Sequence, residues 1–442
     1  MIKRTALLLT LLLLLIGSTG CSPKAVPTEA PQPAEPTAPP PPPAEPVHFS
    51  VWYTSSSAEM IALQEQLTDT WASRHTDPPV EVEWTPYGYE DMNTSLRLAL
   101  DSGTGPDVGY ISPGGSRHLA YAKAGHLLDL TPFIEARGWD KLIPMDVMRY
   151  YEDPGDETYG VAYEVVAVGV FYNPELLASL GLALPNTLAE FEQILGTVKE
   201  AGLVPIAIGG LEGWPLMHVW EQFLHTNVPF ENLTALNRMS PDGRWDTPEV
   251  LGATQKYQEW ATLGYFDPNG LATGMEDALN LFMQGKAAFL IGGTWNNATL
   301  ATQADFEARF FAMPPMNPGT GNHMGGYTPN NVWSIPVYTE HQDLALEYID
   351  YMLGEEAGTT LWDLGSIPSY RFEQVPEAVY PLQADVYEAT QSHSTGYYLD
   401  TAHAEIGPHI YGVLQELYAG RMTAEEAVAS IQAKYEALIA EG

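Results

Sequence analysis

The sequence predicts an α/β protein built as two lobes. Strand and helix patterns alternate at the start of the folded region: the apolar strand Val47–Tyr53, the helix Ala58–Arg74, an alternating strand over 80–84, a second helix, and the strand Asp107–Ile111. Such alternation favours a largely parallel sheet flanked by helices. The chain from Val47 to Gly442 is too long for one ordinary hydrophobic core and fits two lobes of conventional size.

Apolar stripes and helix caps predict individual helices. In the helix Ala58–Arg74 the apolar stripe consists of Met60, Leu63, Leu67 and Trp71. Asn173 followed by Pro174 predicts a helix start, because proline suits the first helical position. Capping boxes, in which Glu follows Thr by three residues, predict helices beginning after Thr187 and after Thr423.

Further apolar runs predict strands, and two turn-rich stretches predict crossings between the lobes. The strands are Val165–Tyr172, Val204–Ile208, Ala287–Ile291 and Asn331–Ile335. The crossings are expected at Asp153–Asp156 and at Met313–Pro318, where proline and glycine interrupt the pattern. We therefore expect lobe 1 to comprise 47–156 and about 319–355, and lobe 2 to comprise 157–318 and about 356–442.

The N-terminus indicates export. Lys3 and Arg4 precede an apolar run, Ala6–Ile16, that is too short to span a bilayer, and the small residues Ser18–Gly20 mark a cleavage point. Residues 1–20 are therefore expected to be removed. Cys21 after those small residues resembles the lipobox of bacterial lipoproteins, which implies acylation of its thiol, although Ser18 stands where that pattern usually has leucine. A secreted protein with a stray thiol is the alternative.

Residues 21–46 are rich in proline and have little that could pack in a core, so they predict a tether rather than a domain. After Ile16 no apolar stretch is long enough for a transmembrane helix. The expected location is the outer face of the cytoplasmic membrane, held there by lipid alone.

Composition excludes several classes of function. The formal net charge of −37, from 19 basic and 56 acidic residues, excludes a general binder of nucleic acid or anionic lipid. The single cysteine leaves no disulfide and no thiolate metal site, and the eleven histidines show no metal-ligand spacing, so no metal or cofactor is expected. Twenty-four tyrosines and eleven tryptophans fit binding of a neutral polar ligand.

Five stretches, in this order, cover nearly the whole chain after the tether: Ser102–Val108; Tyr159–Glu164 leading to Phe171–Asn173; Gly202–Ile206 with Glu212–Pro215; Phe282–Ala288 running to Gly293–Trp295; and Ala345–Ile349 before Ile367–Pro368. Together they resemble the extracytoplasmic solute-binding proteins of ABC importers, in the large family that binds sugars and oligosaccharides.

The resemblance implies a fold and a set of partners. The fold is the two-lobed periplasmic-binding-protein fold, type II-like, with a sheet and flanking helices in each lobe, two or three hinge strands, and a ligand cleft that closes. The partners are a carbohydrate, membrane permease subunits and a cytoplasmic ATPase, with the protein itself a monomer.

Trp295, Trp214 and Asp400 are the leading ligand-binding candidates. Gly292 and Gly293 allow close backbone approach at a strand exit, and Trp295 follows with a large flat ring that suits the C–H face of a sugar. Trp214, after the strand Val204–Ile208, is expected to form an opposite stacking wall. The resemblance implies a polar contact from Asp400, whose carboxylate suits a sugar diol. The alternatives are core packing for the tryptophans and a solvated surface position for the aspartate.

Four further residues complete the predicted site. Tyr163 and Glu164 lie beside the presumed hinge, where the resemblance implies ligand contact. Glu59 opens the first helix, where an acidic residue also suits the helix dipole. Trp362 is a possible cleft aromatic, as is Trp52, whereas Asp107 is expected to order the Gly-Pro turn.

The sequence shows no enzyme motif: HExxH, GxSxG and the P-loop are all missing. The order of the five stretches resembles binding proteins throughout, and we therefore predict a binding protein rather than an enzyme. Two alternatives stay open. A glycoside hydrolase needs only two carboxylates, and the 56 acidic residues allow such a pair. A sensor subunit that presents its ligand to a membrane kinase would have the same sequence features.

Overall fold

The computed structural model describes residues 45–55, 57–112, 114, 118–144, 147, 157–320 and 323–441, without the side chains of residues 89 and 90. The predicted signal, Cys21, the tether up to residue 44 and the expected crossing at 153–156 lie outside the described residues. No helix in the described ranges is both long and apolar enough to cross a bilayer.

The described chain contains both strands and helices. The strands are β1 (Val47–Thr54), β2 (Val80–Tyr87), β3 (Val108–Ile111), β4 (Val161–Ala162), β5 (Glu164–Val166), β6 (Val168–Tyr172), β7 (Val204–Ala207), β8 (Ala287–Gly293), β9 (Arg309–Phe311), β10 (Thr328–Pro329), β11 (Val332–Ser334) and β12 (Ile367–Pro368). The α-helices are Ala58–Ala72, Tyr89–Ser102, His118–Lys123, Thr131–Arg137, Trp139–Leu142, Pro174–Ser179, Leu188–Glu200, Trp214–His225, Phe230–Asn237, Pro248–Leu263, Met275–Met283, Asn297–Gln303, Gln342–Met352, Glu355–Asp363, Pro381–Ser392, Ile406–Tyr418 and Ala424–Glu441. Short 3-10 turns occupy Gly270–Ala272, Thr294–Asn296 and Leu399–Thr401.

Lobe 1 is built on a five-stranded sheet of order β2-β1-β3-β11-β4. β1 pairs in parallel with β2 and with β3, whereas β11 runs antiparallel to both β3 and β4. Aromatic rings fill the core behind it: Tyr53 stacks on Tyr110 at 4.8 Å between ring centroids, and Trp333 lies 4.6 Å from Tyr110. The parallel part of the sheet is the part that the sequence predicts.

Lobe 2 is built on a four-stranded sheet of order β7-β8-β6-β9. β8 is buried along its whole length and pairs in parallel with β7 and antiparallel with β6. The helix Trp214–His225 packs beside β8. The indole of Trp220, on this helix, stacks on Trp245 with the ring centroids 5.5 Å apart. The pairing with β7 ends at Leu290, whereas the pairing with β6 continues to Gly293 at the carboxyl end of β8.

A third, three-stranded sheet of order β10-β5-β12 joins the lobes. The prediction of one continuous strand over Val165–Tyr172 is wrong, because the chain changes sheets at Ala167. Val165 and Val166 pair with β12 and β10, whereas the N–H of Ala167 donates to Oγ1 of Thr294 at 3.0 Å in lobe 2. The chain therefore crosses at β5, again at β10 and a third time at β12.

These sheet changes occur later in the chain than the crossings that we expected. β4 at Val161–Ala162 still belongs to the lobe 1 sheet, and the helix Glu355–Asp363 packs against helices of lobe 1. The boundaries 156, 319 and 355 stay a prediction.

Both predicted capping boxes are confirmed. Oγ1 of Thr187 accepts from the N–H of Glu190 at 3.2 Å, and the Glu190 carboxylate accepts from the N–H of Thr187 at 3.1 Å. Thr423 and Glu426 make the same reciprocal pair at the start of the last helix. Asn173 caps the helix Pro174–Ser179, as predicted, by accepting from the N–H of Leu176.

Candidate functional site

Trp295 lies where the central strand of lobe 2 ends. β8 finishes with Gly292 and Gly293, and a 3-10 turn, Thr294–Asn296, then carries the indole back over the strand end. A Cβ atom at Gly293 would lie only 1.9 Å from Cζ3 of Trp295. The missing side chain at Gly293 is therefore what lets the indole settle there.

Trp214 lies beside Trp295 and begins the helix Trp214–His225. Its preceding residue, Gly213, has φ +85°, and a Cβ there would lie 2.5 Å from Cβ of Tyr411. The ring centroids of Trp214 and Trp295 are 6.4 Å apart, with an angle of 60° between the planes. The two indoles thus form adjoining faces of one corner, not the opposite walls that we expected.

His218 fills the inside of this corner. It lies one helical turn after Trp214, and its ring centroid is 5.0 Å from that indole, 5.5 Å from Trp295 and 5.7 Å from the ring of Tyr398. The side chain is only 5% exposed, and its Nδ1 atom has no hydrogen-bond partner among the described residues. Burial lowers the pKa of His218 to about 3, so the imidazole is neutral at physiological pH.

Asp400 completes the corner from the C-terminal part of the chain. It sits in the turn Leu399–Thr401, and one of its carboxylate oxygens accepts from the hydroxyl of Tyr411. Tyr411 is the residue that packs against Gly213, directly before Trp214. The structure therefore brings together Trp295, Trp214 and Asp400, three residues that are far apart in sequence.

A buried carboxylate lies behind Asp400. Glu221, on the same helix as His218, is fully buried, and its Oε1 atom accepts from the N–H of Leu399 at 2.7 Å. Burial, and after it the negative charge of Asp400, raises the pKa of Glu221 well above its usual value. Two acidic side chains thus lie close together here, and their proximity favours the uncharged form of the buried one.

Lobe 1 approaches the site at Gly114, which follows β3. A Cβ atom on Gly114 would lie 2.6 Å from Cβ of Thr401, the residue next to Asp400. Gly114 has φ +112°, which glycine adopts without strain. The two lobes are thus in contact directly beside the candidate site.

Tyr163 and Glu164 lie at the hinge but face away from the aromatic corner. Tyr163 is 1% exposed and packs in the lobe 1 core, with its ring centroid 6.3 Å from Trp333. Glu164 accepts from the side chain of Asn330 at 2.8 Å. Burial raises the pKa of Glu164, and hydrogen bonds from Asn330 and Ser366 partly offset that rise. In this conformation neither side chain offers surface to a ligand.

Trp362 and Glu59 are also separate from the corner. Trp362 is 1% exposed, and its indole N–H donates to the carbonyl of Glu377 at 3.1 Å, so it is a core residue of the helix Glu355–Asp363. Glu59 is exposed in the first turn of its helix, where it accepts from the Ser57 hydroxyl. Burial explains the position of Trp362, and helix capping explains that of Glu59.

The two remaining aromatic and acidic candidates have structural partners. Asp107 accepts from the N–H of Ser50 at 2.8 Å and from the hydroxyl of Thr339, so it orders its turn. Trp52 packs on Tyr87 at 4.9 Å between ring centroids.

Sequence reasoning missed His218, Glu221 and Tyr411. A signal for the first two was present: Trp214, His218, Glu221 and His225 recur at spacings of three and four on a helix that is otherwise mostly apolar. Polar residues on one face of a buried helix need partners, which points to a packed polar site.

A depression of about 530 Å³ lies elsewhere, at the amino ends of β1 and β3. It is lined by His48, Phe49, Ser50, Glu81, Val82, Glu83 and Asp107. Ligands of open α/β sheets bind outside the carboxyl ends of strands, which is where Trp295 and Gly114 lie. The aromatic corner, which lies at those carboxyl ends, is therefore the better candidate site.

Two α/β lobes joined by three short strands, with an aromatic corner at the strand exits, define the class of two-lobed substrate-binding proteins. Solved structures of that class share the fold: a chitin oligosaccharide binding protein superimposes with a TM-score of 0.78 at 22% identity, covering 90% of this chain and all of the other. A RafE solute-binding protein in complex with raffinose superimposes with a TM-score of 0.71 at 20% identity, covering 89% and 100%. The predicted fold class is confirmed.

The chain belongs to the bacterial extracellular solute-binding protein family, whose model matches residues 54–359. It is 24% identical over 331 residues to a multiple sugar-binding protein of Streptococcus mutans, covering 72% of this chain and 74% of the relative. It is 26% identical over 355 residues to an uncharacterised ABC transporter extracellular-binding protein of Pyrococcus horikoshii, covering 79% and 77%. The family resemblance seen in the sequence is confirmed.

Proposed function

We propose that this protein is the lipid-anchored substrate-binding component of an ABC importer, and that it binds a neutral sugar or oligosaccharide between its lobes. The observation that carries the proposal is the corner formed by Trp295, Trp214, His218 and Tyr398 beside the carboxylate of Asp400. Sugars have apolar C–H faces and rims of hydroxyl groups, and this corner offers a partner for each.

Each part of the corner has a separate role in this proposal. The indoles of Trp295 and Trp214 contact the C–H faces of one or two sugar rings. Asp400 accepts a hydrogen bond from a sugar hydroxyl through the oxygen that also accepts from Tyr411, because a carboxylate oxygen can accept more than one hydrogen bond. The neutral imidazole of His218 supplies one more polar atom inside the corner. The names of related proteins, among them a multiple sugar-binding protein, support a sugar as the ligand.

Binding is proposed to stabilise the closed arrangement of the lobes. Contacts from both lobes exist only when the cleft is shut, so a sugar held at Asp400 favours the approach of Gly114 to Thr401. The closed form would dock on permease subunits, while a cytoplasmic ATPase drives transport. The protein acts as a monomer and has no catalytic step of its own.

The test is thermal unfolding of the purified protein with a panel of sugars: monosaccharides, raffinose, chitin oligosaccharides and xylo-oligosaccharides. A ligand at about a hundred times its Kd should stabilise the fold by roughly 2.7 kcal/mol, a readable shift in Tm. Each sugar is recovered afterwards and analysed. A shift with one class, recovered intact, supports the proposal; no shift with any sugar contradicts it, and a cleaved sugar favours a hydrolase.

The site assignment has its own variants. Trp295→Ala should weaken binding of the best sugar about tenfold or more, since burial of a large apolar side chain contributes about 1.5–3 kcal/mol. Trp84→Ala is the matched control, because Trp84 is a partly buried indole that packs on Tyr53 at 5.3 Å and lies on β2 of the lobe 1 sheet, whereas Trp295 follows β8 of the lobe 2 sheet. Equal affinities of the two variants would remove Trp295 from the site.

The lipid anchor is tested separately at Cys21. Cys21→Ser should release the protein from the membrane fraction, because a serine hydroxyl cannot form the thioether that holds the lipid. If the native protein and the variant fractionate alike, the anchor is contradicted while the sugar site stands.

A further inference from the structure

The stretch that presents Tyr398 and Asp400, which we name the 394–401 segment, has little regular structure of its own. It follows the helix Pro381–Ser392, and only its last three residues form a 3-10 turn. Irregular backbone of this kind is mobile unless other groups bind its N–H and C=O atoms. What fixes the segment therefore decides where Asp400 lies.

Two side chains of the helix Trp214–His225 bind backbone N–H groups of the 394–401 segment. Oε1 of Glu221 accepts from Leu399 at 2.7 Å, and Nε2 of His225 accepts from Tyr397 at 2.9 Å. Glu221 and His225 are four residues apart, so they share one face of the helix. The segment is thereby held at alternate residues, directly before Asp400.

The hydrogen bonds also fix the state of His225. Its Nδ1 atom lies 3.0 Å from the carbonyl oxygen of Glu221, so Nδ1 carries the proton and Nε2 is left as the acceptor for Tyr397. Burial lowers the pKa of His225 to about 4, which keeps this neutral form at physiological pH. The imidazole is thus a bridge from one turn of the helix to the segment.

Packing alone does not explain a glutamate at position 221, because its burial costs folding stability. It is fully buried beside the negative charge of Asp400, and its Oε2 atom has no hydrogen-bond partner among the described residues. A buried carboxyl of this kind usually costs stability in comparison with an apolar side chain of similar volume. The hydrogen bond that Glu221 accepts from the N–H of Leu399 is the contact that an apolar side chain could not supply.

We propose that Glu221 and His225 are positioning residues for ligand binding. They contact no ligand themselves; they hold the backbone of the 394–401 segment so that Asp400 and Tyr398 stand beside Trp295 and Trp214. The inference rests on the proposed function, because it assigns the segment to the sugar site.

The experiment compares Glu221→Leu, Glu221→Gln and a matched control, Thr254→Val. Leucine removes the acceptor, whereas glutamine keeps one for Leu399. Thr254 is as buried as Glu221. Its hydroxyl accepts from the indole N–H of Trp220, which lies on the same helix as Glu221, and it makes no hydrogen bond to the 394–401 segment. All are measured in the full chain for amide hydrogen exchange, for Tm and for affinity toward the sugar of the panel that raises Tm most.

For Glu221→Leu we expect faster exchange confined to the 394–401 segment and at least a tenfold loss of affinity. Glu221→Gln should keep native exchange there and an affinity within about threefold. Thr254→Val should lower Tm while leaving amide exchange in the segment and sugar affinity unchanged. Native exchange in the segment of Glu221→Leu, or native affinity, would overturn the inference, as would an equal loss of affinity in Thr254→Val.

His225→Phe provides a second route if Glu221→Leu does not fold. The phenyl ring keeps the volume and removes the acceptor for Tyr397, so exchange should rise in the same segment and affinity should fall. Unchanged exchange in this variant would overturn the inference. If the native protein binds no sugar, the proposed function fails, and the exchange data alone still decide whether these residues hold the segment.

Discussion

Replacing Gly293 by alanine should displace Trp295 without unfolding lobe 2. A Cβ atom at Gly293 would lie 1.9, 2.0 and 2.3 Å from three carbons of the Trp295 ring. Gly293 has φ −96°, which alanine adopts without strain, so the backbone tolerates the change. The neighbouring Gly292 is the control, because a Cβ there would meet its nearest atom, Cε of Met275, at 3.6 Å.

The size of the effect follows from these distances. Carbon atoms in contact lie about 3.5–4.0 Å apart, so the indole must move by at least about 1.6 Å. A displacement of that size costs the ring most of its stacking contact with a sugar, which we estimate at about 1.5 kcal/mol, or roughly a tenfold loss of affinity. Loss of glycine flexibility stabilises the fold by about 0.4–1 kcal/mol and partly offsets the steric cost.

Isothermal titration calorimetry with the best sugar of the panel measures the affinity, and thermal unfolding with circular dichroism checks the fold. We expect Gly293→Ala to bind about tenfold more weakly than Gly292→Ala, with a similar Tm for both. If Gly293→Ala binds as tightly as the native protein, the indole does not contact the ligand, and the corner loses its central residue.

Gly114→Ala should weaken sugar binding through lobe closure, because its Cβ would lie 2.6 Å from Thr401 across the lobes. Gly125→Ala also places alanine at a positive φ, +77°, with nothing within 4 Å of the added atom, so equal affinities of the two variants would refute a closure contact. Acid should destabilise the protein through His218 and His225, whose pKa values are lowered by burial to about 3 and about 4. Their stability contribution is present above the unfolded pKa near 6.5 and is lost as pH falls, roughly 2 kcal/mol each between pH 7 and 5. The acid-induced loss measured by urea unfolding should therefore be about 2 kcal/mol smaller in His225→Asn, and an unchanged loss would contradict a buried neutral imidazole.

Local patterns in the sequence predict the fold where local physics decides it. The capping boxes at Thr187 and Thr423 form as expected because their partners are only three residues away. The break at Ala167 escaped prediction, because β5 and β6 are both fully buried and read as one apolar run. Which sheet each half joins depends on strand partners more than a hundred residues further on: β10 and β12 for β5, and β8 and β9 for β6.

In the candidate site, too, local sequence predicts some positions, whereas distant contacts decide others. The position of Trp295 is predictable from the glycines at the end of β8, because the ring needs close approach to the backbone at Gly293. Tyr163 and Trp362 could not be separated from site residues by sequence, since an aromatic ring in a core and one in a cleft have the same local pattern. Their burial depends on Trp333 and Glu377, which sequence spacing does not connect to them.

The strand order of lobe 1 sets a sequence of events for biogenesis. β11, at Val332–Ser334, lies between β3 and β4 in the sheet, although most of lobe 2 separates it from both along the chain. The four strands of the lobe 2 sheet, by contrast, all fall within residues 168–311. A chain that emerges from its N-terminus can pair the lobe 2 strands while β3 still has an open edge. Lobe 1, synthesised first, is therefore the lobe that completes its sheet last.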